Sequence, residues 1–168
     1  MNDIINKIIE LNEKWYDPEY CLQAVESWPS RLVHVVDQTP EICLAAVNQD
    51  WSALQYVKNQ TPEICSAAVQ QNGLALQYVR KQTPEVCLEA VKQHWEALKY
   101  VRNQTPEICS AAVQQKGWAL EYVREQTPEI CAEAIKQDPD VYRSVRLPAT
   151  EPEREKFIRK LSFLLLSI

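Results

Sequence analysis

A five-residue phrase returns every 22 residues along this chain: Thr39-Pro-Glu-Ile-Cys43, Thr61-Pro-Glu-Ile-Cys65, Thr83-Pro-Glu-Val-Cys87, Thr105-Pro-Glu-Ile-Cys109 and Thr127-Pro-Glu-Ile-Cys131. A looser copy, Asp17-Pro-Glu-Tyr-Cys21, keeps the same spacing and brings the number of units to six. Self-similarity at a fixed period marks a repeat array, in which each unit buries its apolar face against its neighbours and is not stable alone. The 168 residues are therefore expected to form one array rather than one globule.

Let the Thr be position 1 of each repeat. Thr is a good helix N-cap, Pro at position 2 suits a first helical residue, and Glu at position 3 places negative charge at the positive helix end. Ile64, Cys65, Ala68 and Val69 follow at the spacing of a single apolar helical stripe. The Asn72-Gly73 step is expected to end that helix through a left-handed residue. Ala75, Leu76, Tyr78 and Val79 then predict a second short helix. The fold class that results is all-α: an α-solenoid of six 22-residue helix–turn–helix repeats, stabilised by stacking because such short helices are marginal in water.

The expected organisation is an N-terminal cap helix over residues 1–16, the six repeats over 17–146 and a C-terminal cap helix over 147–168. The first cap carries Ile4, Ile5, Ile8, Ile9 and Leu11, and the last carries Phe157, Ile158, Leu161, Leu164 and Leu165. The apolar surplus of the C-terminal helix leaves the chain either a monomer or a homodimer through that helix. Position 13 reads Pro29, Trp51, Gly73, Trp95, Gly117, Pro139. Its alternation suggests that each Trp fills the space left by a neighbouring Gly.

One Cys per repeat, at one position and among apolar residues, reads as core filler. Equivalent sites in successive layers of helices packed roughly 8–10 Å apart exceed the Cα separation of about 7 Å that a disulfide tolerates. A reducing, cytoplasmic location follows as an expectation. The start of the chain lacks the pattern of a signal peptide. The apolar run 161–168 is also far short of the roughly twenty residues of a membrane span.

The run Ala-Val-x-Gln-x-Gly-x-Ala-Leu-x-Tyr-Val, found at 68–79 and 112–123, resembles a short-repeat domain of unknown function in bacterial and giant-virus proteins. The resemblance covers about residues 17–146 and implies a helical array. The family has no agreed activity, and so supplies no catalytic residues to carry over.

In such an array each surface position becomes a ladder. Position 18 gives His34, Tyr56, Tyr78, Tyr100 and Tyr122, position 20 gives Lys58, Arg80, Arg102, Arg124 and Arg146, and Glu recurs at position 3. Gln recurs at positions 11 and 22, either capping backbone or reading a partner. The Arg and Glu ladders are expected to pair with one another. The Tyr rings either fill the seam between layers or, with Leu74 and Trp118 four residues earlier on the same helix face, line an aromatic groove.

Catalysis finds no constellation here. His34 and His94 fall at different repeat positions, Gly73 and Gly117 cannot build a phosphate loop, and no Cys/His spacing suits zinc. The chain is therefore read as a non-enzyme without cofactor or metal, and as a protein-interaction module, either adaptor or inhibitor. Its partner-binding residues are Tyr56, Tyr78, Tyr100, Tyr122, Trp118 and Leu74, with Arg80, Arg102 and Arg124 at the rim. The alternative is single-stranded nucleic-acid binding, with one aromatic and one cation per repeat. A net charge of −5 opposes that alternative.

Overall fold

The repeats begin as their first residues dictate. In the computed structural model, which describes residues 2–166, α1 (Asn2–Glu13) is followed by α2 (Pro18–Ser27), α3 (Pro40–Gln49), α4 (Pro62–Gln71), α5 (Pro84–Gln93), α6 (Pro106–Gln115), α7 (Pro128–Gln137) and α8 (Glu151–Leu166). Helices α2 to α7 each open on the proline of position 2, whose missing N–H costs nothing in a first turn. Behind that proline, Thr39 Oγ1 accepts the Ile42 N–H at 3.3 Å, and the Thr of each later repeat caps its helix in the same way. The carboxyls of Glu63 and Glu85 lie below the usual range, first because their own backbone N–H and then because the Thr hydroxyl bond the charged form.

The second element of each repeat departs from the expected α-helix. It is a six-residue 3₁₀ helix: Pro29–His34, Trp51–Tyr56, Gly73–Tyr78, Trp95–Tyr100, Gly117–Tyr122 and Pro139–Ser144. With three residues per turn, residues three apart lie above one another. Positions 16 and 19 therefore form one buried ridge, as Leu54 with Val57, Leu98 with Val101 and Leu120 with Val123. Positions 14 and 17 form the outer ridge, and position 20 lies past the end of the helix.

No left-handed residue joins the two helices. Among the described residues none has a positive φ, and Asn72 is extended at φ −155°, ψ 119°. Asn72 acts as the cap of the following 3₁₀ helix, its Oδ1 accepting the Leu74 N–H at 2.9 Å. Asp50 and Asp138 do the same at position 12 of their repeats. The backbone passes from one helix to the next through a single extended residue, so a glycine-type terminator is unnecessary.

Two compact units make up the chain, residues 1–81 and 82–168. In the first, α2, α3 and α4 pack in succession, as do their 3₁₀ helices. In the second, α5, α6 and α7 pack in succession and α8 covers α7. Each unit is thus all-α among the described residues and layered repeat upon repeat in the manner of an α-solenoid. Its core comes from positions 5, 8, 9, 15, 16 and 19, for example Cys109, Ala112, Val113, Ala119, Leu120 and Val123.

The two terminal helices form as expected, with different packing. On α8, Phe157 is buried, while Leu161, Leu164 and Leu165 are half-buried and Ile158 is exposed. Lys160 forms an ion pair with Glu129 of α7, and that hydrogen bond holds the Glu129 carboxyl below its ordinary range. On α1, Ile4 and Ile5 are exposed, and the side chains of Ile8, Ile9 and Leu11 lie outside the described residues. Met1, Ser167 and Ile168 also lie outside them. Among the described residues no helix is long and apolar enough to cross a membrane.

All six thiols are free and buried. Burial pushes each pKa up, that of Cys131 to about 11, with Arg146 opposing and Glu129 adding to the shift. The thiolate is the reactive species, so the folded chain should resist alkylation. At about pH 8, iodoacetamide is expected to label native protein at least about a hundredfold more slowly than guanidinium-unfolded protein. A single cysteine that labels at the unfolded rate would contradict this packing.

Candidate functional site

Short helices leave many carbonyls without a partner at their ends, and here long polar side chains from neighbouring repeats fill that role. The Gln of position 22 is the main one. Gln104 Nε2 donates to the Leu98 carbonyl of its own repeat at 3.2 Å and to the Tyr122 carbonyl of the next at 2.8 Å. Its Oε1 accepts the Arg124 N–H at 2.8 Å and lies 3.8 Å from the Cys109 thiol. Gln38, Gln60 and Gln126 make the same set of bonds, and Gln82 bonds Tyr100, Arg102 and Cys87 in the same way. Position 11 works in the opposite direction along the chain. Gln71 donates to Val47 of the preceding repeat, Gln115 to Val91 and Lys92, and Gln137 to Gln114.

The cations of position 20 also serve the backbone. Lys58 Nζ donates to the carbonyls of Val35 and Val36, both at 3.0 Å. Arg80 donates to Lys58, Arg124 to Arg102 and Val101, and Arg146 to Val123. The expected pairing of Arg with the Glu ladder is therefore replaced, at Arg124 and Arg146, by carbonyl capping one repeat back. The accepting carbonyls belong to positions 19 and 20, just past the C-terminal end of the 3₁₀ helix, where a cation is favoured.

The aromatic row has a different geometry from the one expected. Tyr56, Tyr78, Tyr100 and Tyr122 are all half-buried at the last residue of their 3₁₀ helices. Leu74 and Trp118 are half-buried at the second residue of theirs. Four residues on a 3₁₀ helix turn through about 120° rather than the roughly 40° of an α-helix. Leu74 and Tyr78 therefore do not share a face, and neither do Trp118 and Tyr122. Leu74 and Trp118 stand instead on the outer ridge with Gln77 and Glu121.

The partners of the Tyr rings come from position 13. Trp51 stacks on Tyr78 with ring centroids 6.1 Å apart and planes 30° apart, and Trp95 stacks on Tyr122 at 5.9 Å and 25°. Both stacks reach from one repeat to the next. The space on Gly117 is taken by the Ala134 carbonyl and Val141 of the following repeat, so no Trp ring fills it. Trp118 Nε1 donates to Asp138 Oδ2 at 2.7 Å, and Lys99 Nζ sits 4.9 Å from the centre of the Tyr100 ring. Trp51 and Trp95 thus join the Tyr row, a link that the sequence carries only as their recurring offset of 27 residues. Among the described residues no cluster of His, Cys, Asp and Glu is arranged to hold a metal ion.

Comparison with known proteins adds a family. The domain of unknown function DUF4116 matches three times in overlapping windows, residues 39–83, 61–105 and 84–127. Each window is two repeats long, and the second is displaced from the first by one repeat. No curated protein and no solved structure matches the chain. With three overlapping matches across more than half of its length, the chain belongs to the DUF4116 family.

Proposed function

We propose that the chain is a protein–protein interaction module, an adaptor or inhibitor-type binder, whose docking face is the 3₁₀-helix side of the repeats. The observation that carries this reading is the pair of inter-repeat ring stacks, Trp51 on Tyr78 and Trp95 on Tyr122. Aromatic rings held in one orientation and only half-buried lose little entropy on binding, and Tyr, Trp and Arg dominate binding hot spots. Tyr56 and Leu74 in the first unit, and Tyr100 and Trp118 in the second, belong to the same 3₁₀ helices as these rings, and the exposed Arg80, Arg102 and Arg124 each follow a Tyr by two residues. The single-stranded nucleic-acid reading is the weaker one, because the chain's net charge of −5 opposes phosphate binding.

A variant with Tyr78, Tyr100 and Tyr122 all changed to Ala tests the proposal. It is expected to keep a helical far-UV spectrum and to bind a partner captured by the wild-type chain at least about tenfold more weakly, the scale of one hot spot. Full retention of every partner by the folded variant would remove the aromatic row as the site.

A further inference from the structure

The first repeat differs from the other five on its surface. Trp28, Val33 and Val36 occupy positions 12, 17 and 20. There the later repeats carry Asp, Asn, His or Lys, then Gln, Lys, Glu or Arg, and finally Lys or Arg. These three apolar side chains are 63%, 53% and 39% exposed. Val33 lies near the end of the 3₁₀ helix Pro29–His34, and Val36 lies two residues past that end. Exposed Tyr16 adjoins them, since the Val36 N–H donates to the Trp15 carbonyl at 3.2 Å. Between residues 37 and 141 no large apolar side chain is exposed to this degree.

The same segment holds the chain's net charge. Residues 1–41 contain eight acidic and three basic side chains, and the remaining residues contain fifteen of each, so the whole excess of −5 lies there. Glu13, Asp17 and Asp37, all exposed, neighbour the apolar patch in sequence.

A second surface of opposite character lies on α8. Lys156, Arg159, Phe163 and Leu166 follow at spacings of three, four and three, which places them on one helix face. Phe163 is 70% and Leu166 84% exposed. Residues 143–168 hold six basic and three acidic side chains. Arg159 is shared with Glu155 at 3.4 Å, so Lys156 supplies most of the available positive charge.

We propose that these two surfaces form one interface between copies of the chain, with the α8 stripe of one molecule docking on the first-repeat patch of a second copy. Phe163 and Leu166 would cover Val33 and Val36, and Lys156 would meet the acidic rim. Two acidic patches repel each other, so a symmetric patch-to-patch dimer is disfavoured. Because the contact is heterologous, a bound pair keeps a free patch on one copy and a free stripe on the other, and growth does not stop at two unless a ring closes. The inference is independent of the aromatic row.

Sedimentation velocity tests it. The wild-type mass is expected to rise beyond twice 19.4 kDa between about 10 μM and about 1 mM protein. Raising salt from about 0.05 M to about 0.5 M should weaken association by about tenfold. Val33→Glu and Phe163→Glu, both at exposed sites and expected to keep the wild-type spectrum, should each be monomeric. Mixed, they should form a one-to-one dimer and nothing larger, because each retains one intact surface. The proposal is overturned if the wild type stays at 19.4 kDa throughout, if Val33→Glu still self-associates (a symmetric α8 dimer), or if the mixture remains monomeric.

Discussion

Gln104→Leu is expected to lower stability by about 2–4 kcal/mol, although the side chain is only half-buried and Leu is the more hydrophobic residue. The substitution removes the donor to the Leu98 and Tyr122 carbonyls and the acceptor for the Arg124 N–H and the Cys109 thiol. A partly buried polar group left without a partner costs about 1–3 kcal/mol, and several are affected together. For a chain of this length the melting temperature should fall by roughly 5–15 °C. Gln77→Leu is the control. Gln77 is exposed and bonds only the Leu74 carbonyl within its own helix, so its effect should stay within about 0.5 kcal/mol. If the two variants melt together, water replaces the Gln104 amide and the side chain does not hold the repeats.

Gly117→Ala is the second large effect, and its sign runs against helix propensity. Gly117 has a negative φ, and replacing a helical Gly by Ala at a compatible site ordinarily gains about 0.4–1 kcal/mol. Here a Cβ would stand 2.8 Å from the Ala134 carbonyl oxygen, a backbone atom of the next repeat's helix that cannot swing aside. Overpacking of this kind costs about 1–3 kcal/mol. Urea unfolding should therefore show a lower midpoint for Gly117→Ala. An equal or higher midpoint would mean that the layers separate at little cost. Position 13 carries Trp in two other repeats, so comparing repeats by sequence alone would rate Ala as harmless there.

The first helix of each repeat was legible because its signals are local. Thr at the cap, Pro at the first turn and an apolar stripe at helical spacing refer only to residues within ten positions. The second helix was misread because six residues barely distinguish a period of 3.0 from 3.6. Ala75, Leu76, Tyr78 and Val79 satisfy both, and only the pairing of Leu76 with Val79 under Arg80 favours the tighter helix. That misreading carried over to the site, since it put Leu74 with Tyr78 and Trp118 with Tyr122. The Gln ladders were visible as repetition, yet their job was not. A polar residue at a helix boundary looks solvated until the carbonyls of the adjoining repeat are seen within reach of its amide.

The reach of Gln104 from its own repeat into the next carries a genetic consequence. Duplicating or deleting a stretch of 22 codons anywhere between two Thr-Pro starts would hand every amide an equivalent carbonyl and every carbonyl an equivalent amide. An indel that is not a multiple of 22 codons would strand both. Lengthening by whole units is thus the path of least resistance for a gene of this kind, and the near-identity of Thr61–Gln82 and Thr105–Gln126, alike at 18 of 22 positions, is the trace that such copying leaves.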